Sequence, residues 1–187
     1  MKFGTIKLAG QPCLVMQHNS GGMCRVDRLL ATADADSVAT MLDLVRSIDE
    51  DPALATALSA AAGSIDVRDI LIEDDQTEWL PPIGNPSKIL GVAFNNRELM
   101  KKAHYDPGVP NFFLKPPSCL IGHGKPIIID PNWGAVIPEP EICAVIGRRA
   151  KHVVEADALD YVFGFMIHND VTSHGLKFGK DSIAVTY

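Results

Sequence analysis

Two glutamates stand one residue apart at the start of an apolar stretch, in the segment VIPEPEICAVIG (residues 136–147). Successive side chains of a β-strand point to opposite faces, so Glu139 and Glu141 would project from the same face. Two residues of strand rise put their Cβ atoms roughly 6–7 Å apart, which lets both carboxylates converge on one ion. An ionised carboxylate in apolar surroundings is costly unless it is paired or binds a metal. From spacing alone, however, a solvated strand face without an ion is the more common explanation.

A third carboxylate, Asp170, ends the apolar run FGFMIHND, where a predicted strand enters a polar loop. Strand ends beside loops are places where a rigid scaffold positions functional groups. Three oxygen donors with room for water and a substrate suit Mg²⁺, Mn²⁺ or Ca²⁺ better than zinc or copper. The alternative is an aspartate that only caps a loop.

The first part of the chain reads as a small α+β module. Short strands are predicted within residues 1–30, including the segment MCRVDRL. Apolar residues at helical spacing predict a helix over residues 36–48, with Asp36 or Ser37 as its N-cap. An alanine-rich helix should follow, and the Pro-, Gly- and Asn-rich residues 78–88 suit a linker. We therefore predict two domains, residues 1–80 and residues 81–187.

The second part has a different pattern of elements. Strands are predicted for KILGVAF, NFFLK and PIIID, and a helix for NRELMKKAHY (residues 96–105). The stretch ICAVIG, which follows the two glutamates, is apolar at every position except its glycine. Such a strand is typical of one that is covered on both faces.

Composition excludes several classes of protein. The net charge of −6 argues against a nucleic-acid-binding protein, which usually carries a basic patch. No apolar run reaches the ~18–20 residues of a membrane span, and the polar N-terminus lacks the apolar core of a signal peptide. The four scattered cysteines indicate reduced thiols in a cytoplasmic protein and do not suggest a zinc site. They are Cys13, Cys24, Cys119 and Cys143.

Together these segments resemble the fumarylacetoacetate hydrolase superfamily. The resemblance rests on KILGVAFNNRELM, FFLKPPSCLIGHG, IPEPEICAVIGRRAKHV and ALDYVFGFMIHNDVTSHGLK, in that order, over about residues 88–180. It implies an α+β, mainly β architecture: a mixed β-sandwich roll beside the small N-terminal module, with homodimers as the usual assembly. Later strands of that roll would lie beyond residue 187. We therefore expect the chain to be part of a longer protein or to be completed by another chain.

The resemblance also implies a site and a chemistry. A divalent cation, Mg²⁺ or else Mn²⁺ or Ca²⁺, would be held by Glu139, Glu141 and Asp170. The implied substrate is a small 2-oxo or β-diketo acid, and the favoured reaction is hydrolysis of a C–C bond in an acylpyruvate-like compound through a metal-bound enolate. A tautomerase, decarboxylase or hydro-lyase would use the same enolate, and a catalytically silent binding or assembly subunit is a third alternative.

Three further residues follow from the resemblance. Lys115 and Ser118 in FLKPPS would contact the substrate, and Lys115 would take part in catalysis. The family often carries a water-activating His-Glu pair on a short helix, but this chain has Leu99 and Lys102 at those positions. His104 lies five residues after Leu99 and is the candidate replacement base. The alternative for His104 is that it simply ends the helix.

Overall fold

A computed structural model describes residues 1–71, 76–178 and 181–186, with side chains described up to residue 174. Its contacts form two compact units. The first unit comprises Met1–Gly84, Ile121–Ile128 and Glu139–Asp170. The second comprises Asn85–Leu120, Ile129–Pro138 and Val171–Tyr187. The division into separately folding domains 1–80 and 81–187 stays a prediction.

A four-stranded antiparallel sheet begins the first unit. Its strands are β1 (Phe3–Leu8), β2 (Gln11–Gln17), β3 (Met23–Arg25) and β4 (Glu78–Leu80), in the spatial order β3-β2-β1-β4. A two-residue turn at Ala9 and Gly10 joins β1 to β2, and both turn residues have positive φ, which glycine tolerates best. Strands were expected in this region, and the sheet confirms them.

Three helices follow in this unit: α1 (Val26–Thr32), α2 (Met41–Glu50) and α3 (Ala53–Ser64). Helix α1 packs against β2 and β3, and α3 packs against α1 and α2. The segment MCRVDRL, expected as a strand, is a strand only to Arg25 and then turns into α1. The expected N-cap at Asp36 or Ser37 is wrong, because Thr40 caps α2. Thr40 Oγ1 accepts the Asp43 N–H at 3.2 Å, and the Asp43 carboxylate accepts the Thr40 N–H at 3.0 Å. This reciprocal capping box satisfies two otherwise unpaired donors.

The helices and the sheet enclose the main hydrophobic core. Its buried side chains come from α1, α2, α3 and the neighbouring strands, and full burial of each leucine among them contributes roughly 1.5–3 kcal/mol. The largest of them are Leu29, Leu30, Leu44 and Leu58. No helix among the described residues is both long enough and apolar enough to cross a membrane.

A short loop of the first unit packs on β4. At Gly122 the backbone comes so close to the Trp79 carbonyl oxygen that an added Cβ would overlap it. Nearby, the Glu78 carboxylate accepts from Lys125 Nζ at 2.7 Å and lies 3.4 Å from Lys7 Nζ. These two ammonium groups, Lys125 first, hold the pKa of the Glu78 carboxyl below its usual range.

The second unit opens with a hairpin of β5 (Ile89–Ala93) and β6 (Asn111–Lys115), and helix α4 (Arg97–Ala103) lies between them in the chain. The short strand β7 (Ala135–Ile137) follows. Residues 126–130, expected as a strand, are irregular. The expected helix forms as α4, because the Asn96 side chain accepts the N–H groups of Glu98 and Leu99.

The first unit also contains an antiparallel hairpin of β8 (Pro140–Ile146) and β9 (Val162–Asn169). Arg148, just after β8, anchors this hairpin to the N-terminal module, since its Nε lies 2.8 Å from the Asp49 carboxylate. The guanidinium also lies 5.8 Å from the Tyr161 ring centroid. The expectation that β8 is covered on both faces is wrong for this structure. One face is apolar and exposed, formed by Ile142, Ile146, Phe165 and Ile167.

Two further strands complete the second unit. They are β10 (Thr172–Phe178) and β11 (Asp181–Thr186), which form a three-stranded antiparallel sheet with β7 in the order β11-β10-β7. Within this sheet, Thr172 lies opposite Ile137.

Candidate metal centre

The register of the β8–β9 hairpin brings distant acidic residues together. Pro140 lies opposite Asn169, and Glu141 lies opposite His168. Glu139 and Glu141 therefore stand at the start of one strand, and Asp170 follows the end of the neighbouring strand. Because the strands are antiparallel, the start of β8 and the end of β9 meet at the same end of the hairpin.

The three predicted ligands form one cluster in the structure. Each residue offers a carboxylate oxygen, and these oxygens lie within 4.8 Å of one another. Ligand distances of 2.0–2.6 Å around Mg²⁺ or Ca²⁺ place bound oxygens about 3–5 Å apart, so the observed spacing requires little side-chain movement. A set of three carboxylates is also the hard donor set that Mg²⁺, Mn²⁺ and Ca²⁺ prefer. The residues present therefore fit a divalent cation.

Burial differs strongly across the cluster. Asp170 is 1% exposed, Glu139 is half-buried and Glu141 is exposed. At a separation of 4.8 Å and an effective dielectric constant near 20, two ionised carboxylates repel each other by about 3–4 kcal/mol. A dication relieves this repulsion. Glu141 is the member of the cluster that is exposed to solvent.

Two hydrogen bonds of backbone N–H groups join the two chain segments that carry the three carboxylates. The Asp170 N–H donates to the Glu139 carbonyl oxygen at 2.9 Å, and the Glu139 N–H donates to Asn169 Oδ1 at 3.1 Å. Asn169 was not among the site residues predicted from the sequence. A signal was available, because an amide side chain preceded a predicted ligand at a strand end.

Cys143 lies two residues after Glu141 on β8. Burial, and then the Glu141 carboxylate, raises the pKa of the Cys143 thiol above its usual range. Among the described residues, the cluster of possible metal ligands at this end of the hairpin consists of the three carboxylates and does not include Cys143.

The predicted substrate residues belong to the second unit. Lys115 ends β6 and is only 3% exposed, which is rare for a lysine. Ser118 is exposed in a 3₁₀ turn, Pro117–Cys119, that follows β6. Their roles in substrate binding, and the catalytic role of Lys115, stay predictions.

His104 lies at the C-terminal end of α4. It is the C-cap residue, with a left-handed φ of 50°, and its N–H donates to the Lys101 carbonyl oxygen at 3.2 Å. Leu99, at the position where the family often carries histidine, is 49% exposed on the same helix. The helix-ending role of His104 is thus visible in its backbone, and its role as a base stays a prediction.

Comparison with known proteins places the chain in a family. The family described as "Fumarylacetoacetate (FAA) hydrolase C-terminal" matches residues 88–185, which is more than half of the chain. The chain belongs to the fumarylacetoacetate hydrolase family. The resemblance drawn from its motifs is thereby confirmed.

Curated relatives share sequence over this region. An uncharacterized protein of Pyrococcus horikoshii is 39% identical over 93 residues, covering 49% of this chain and 40% of that protein. The mitochondrial oxaloacetate tautomerase Fahd2a of Rattus norvegicus is 32% identical over 119 residues, covering 63% of this chain and 38% of that protein. The chain thus spans about two fifths of the length of these relatives.

Solved structures share the fold. Maleylpyruvate hydrolase from Sphingobium, in complex with manganese(II) and pyruvate, aligns with a TM-score of 0.67 at 24% identity, over 91% of this chain and 58% of that one. Fumarylacetoacetate hydrolase from Exiguobacterium antarcticum aligns with a TM-score of 0.65 at 22% identity, over 92% and 56%. The expected fold, a family-type α+β architecture, is confirmed by these alignments.

Proposed function

We propose that this chain carries the metal centre of an enzyme that promotes enolisation of a small 2-oxo or β-diketo acid, with keto–enol tautomerisation as the reaction its residues support best. The cluster of Glu139, Glu141 and Asp170 is the observation that carries this proposal. The tautomerase relative at 32% identity supports it, as does the solved relative with manganese and pyruvate.

The protein's part in this chemistry is to hold three carboxylates in one place. When bound, a divalent cation supplies positive charge that stabilises the negative charge developing on a substrate oxygen. Asp170, almost fully buried, provides a fixed ligand, and the exposed side at Glu141 leaves the site open to a chelating substrate. Tautomerisation moves only a proton, so it requires no activated water.

Hydrolysis of a C–C bond in an acylpyruvate-like acid is the second candidate. The solved maleylpyruvate hydrolase favours it. Hydrolysis needs an activated water in addition to enolate stabilisation, and Leu99 cannot accept a proton. A positioned general base typically contributes ~10²–10⁴-fold, so cleavage depends on a substitute such as His104.

The chain is shorter than the relatives that support this proposal. The chain spans about two fifths of the length of these curated relatives, and the activity proposed is that of the whole protein. A homodimer stays the predicted assembly. A catalytically silent subunit would keep the metal centre and show no turnover.

Parallel assays separate these functions. Enol–keto exchange of oxaloacetate and cleavage of an acylpyruvate are measured on the full-length protein with Mg²⁺ or Mn²⁺ and again with a chelator. We expect metal-dependent exchange that Glu141→Gln lowers at least tenfold. Exchange that is insensitive to both chelator and substitution would overturn the proposed metal enzyme, whereas metal binding without turnover would favour the silent subunit.

A further inference from the structure

We propose that Asn169 is a positioning residue for the metal centre: its side-chain amide oxygen holds the peptide group of Glu139 so that both glutamates face Asp170. This inference rests on the proposed metal-binding function and assigns a role to a residue outside the three ligands. The observation behind it is the 3.1 Å hydrogen bond from the Glu139 N–H to Asn169 Oδ1.

The hairpin register shows why this bond is unusual. Pro140 lies opposite Asn169, so the next pair outward is Glu139 and Asp170. In a regular antiparallel ladder, such a pair exchanges two backbone hydrogen bonds. The first is present, from the Asp170 N–H to the Glu139 carbonyl at 2.9 Å. For the Glu139 N–H, a side chain accepts. Asn169 and Asp170 thus hydrogen-bond both backbone polar groups of Glu139, its N–H and its carbonyl oxygen.

Pro140 extends the effect of this contact to the second glutamate. The proline ring fixes its own φ and restricts the conformation of the residue before it. Fixing the Glu139 backbone therefore also limits the direction in which the chain continues to Glu141. One amide side chain in this way helps to orient two of the three ligands toward the third.

The expected size of the effect follows from exposure. Asn169 is exposed, so water can replace its oxygen as an acceptor once the side chain is removed. Metal affinity then falls mainly because the ligands are less well oriented. Residues that orient metal ligands typically change affinity by 10–100-fold, and we expect the lower end, about tenfold.

The experiment compares substitutions of similar size. Asn169→Leu removes the acceptor, and Asn169→Asp keeps an acceptor oxygen at the same place. Asn111→Leu makes the matched change at the exposed start of β6. Mn²⁺ affinity is measured by calorimetry and by electron paramagnetic resonance, and thermal unfolding without metal checks the fold of each variant.

We expect Asn169→Leu to weaken Mn²⁺ binding about tenfold. Asn169→Asp should bind within about threefold of wild type or more tightly, and Asn111→Leu should match wild type. Wild-type affinity in Asn169→Leu would overturn the inference while leaving the proposed function intact, and so would equal weakening in Asn169→Asp. Absence of Mn²⁺ binding in the wild type would instead overturn the proposed function, and this inference with it. If Asn169→Leu unfolds early, Asn169→Ala replaces it and is judged by the same two outcomes.

Discussion

Divalent ions should stabilise the folded chain through the carboxylate cluster. A ligand that binds only the folded state stabilises it by RT ln(1 + [L]/Kd), which is about 2.7 kcal/mol at a concentration of 100 Kd. For a chain of 187 residues, each kcal/mol corresponds to roughly 2–4 °C in melting temperature. Mg²⁺ or Mn²⁺ at that concentration should therefore raise the melting temperature by about 5–11 °C.

Replacing one ligand tests whether the cluster causes this shift. Glu141→Gln suits the purpose because Glu141 is exposed, so the change leaves the core packing intact. If the affinity falls a hundredfold, the same metal concentration equals the new Kd and the stabilisation falls to about 0.4 kcal/mol. The corresponding shift is at most about 2 °C.

The assay is scanning calorimetry after chelator treatment, with metal titrated back. Glu155→Gln is the control, because it removes an exposed carboxylate from the 3₁₀ turn Glu155–Tyr161. This variant should keep the full shift. A wild-type protein that shows no shift at millimolar Mg²⁺ and Mn²⁺ would refute the reasoning, and so would an equal shift in Glu141→Gln.

Four further predictions address the base, the domain boundary, a close backbone approach and a surface ion pair. In the full-length protein, His104→Ala should lower acylpyruvate cleavage about a hundredfold and leave oxaloacetate exchange intact, as loss of a general base would. Unchanged cleavage would remove His104 from the mechanism. Limited proteolysis should cut first within residues 78–88 if the two predicted domains fold separately, and protection there with cuts elsewhere would contradict them. Gly122→Ala should destabilise the fold by about 1–3 kcal/mol in urea unfolding, because the added methyl group would overlap a backbone carbonyl oxygen. The control is Gly63→Ala in α3, where the space beside the glycine is open; it should be neutral or stabilising by roughly 0.5–1 kcal/mol. The pKa of Glu78 is lowered in the folded state, so the unfolded chain takes up the proton first as the pH falls. The extra stability of the wild type over Glu78→Gln should therefore be present near neutral pH and vanish as the pH falls through the folded-state pKa of Glu78.

Local sequence determined the elements whose signals are short-range. Alternation along a strand places Glu139 and Glu141 on one face whatever the rest of the chain does. The helix within NRELMKKAHY could be predicted from the composition of that segment, and in the structure Asn96 caps it with its own side chain. The N-cap of α2, by contrast, could not be predicted from local sequence. Several polar residues precede that helix, and which one caps it depends on where the helix packs against the core.

Tertiary structure decided which strand ends meet. Asp170 lies 31 positions after Glu139, and nothing local to either residue states that they are neighbours. The antiparallel register of β8 and β9, with Pro140 opposite Asn169, brings them together. Register depends on side-chain packing along the whole hairpin, since a slip of one residue would turn every side chain to the opposite face. The contact of Asn169 with the Glu139 N–H exists only in this register. The alternation pattern in the sequence could therefore locate the two glutamates, but only the fold shows which residue contacts their strand.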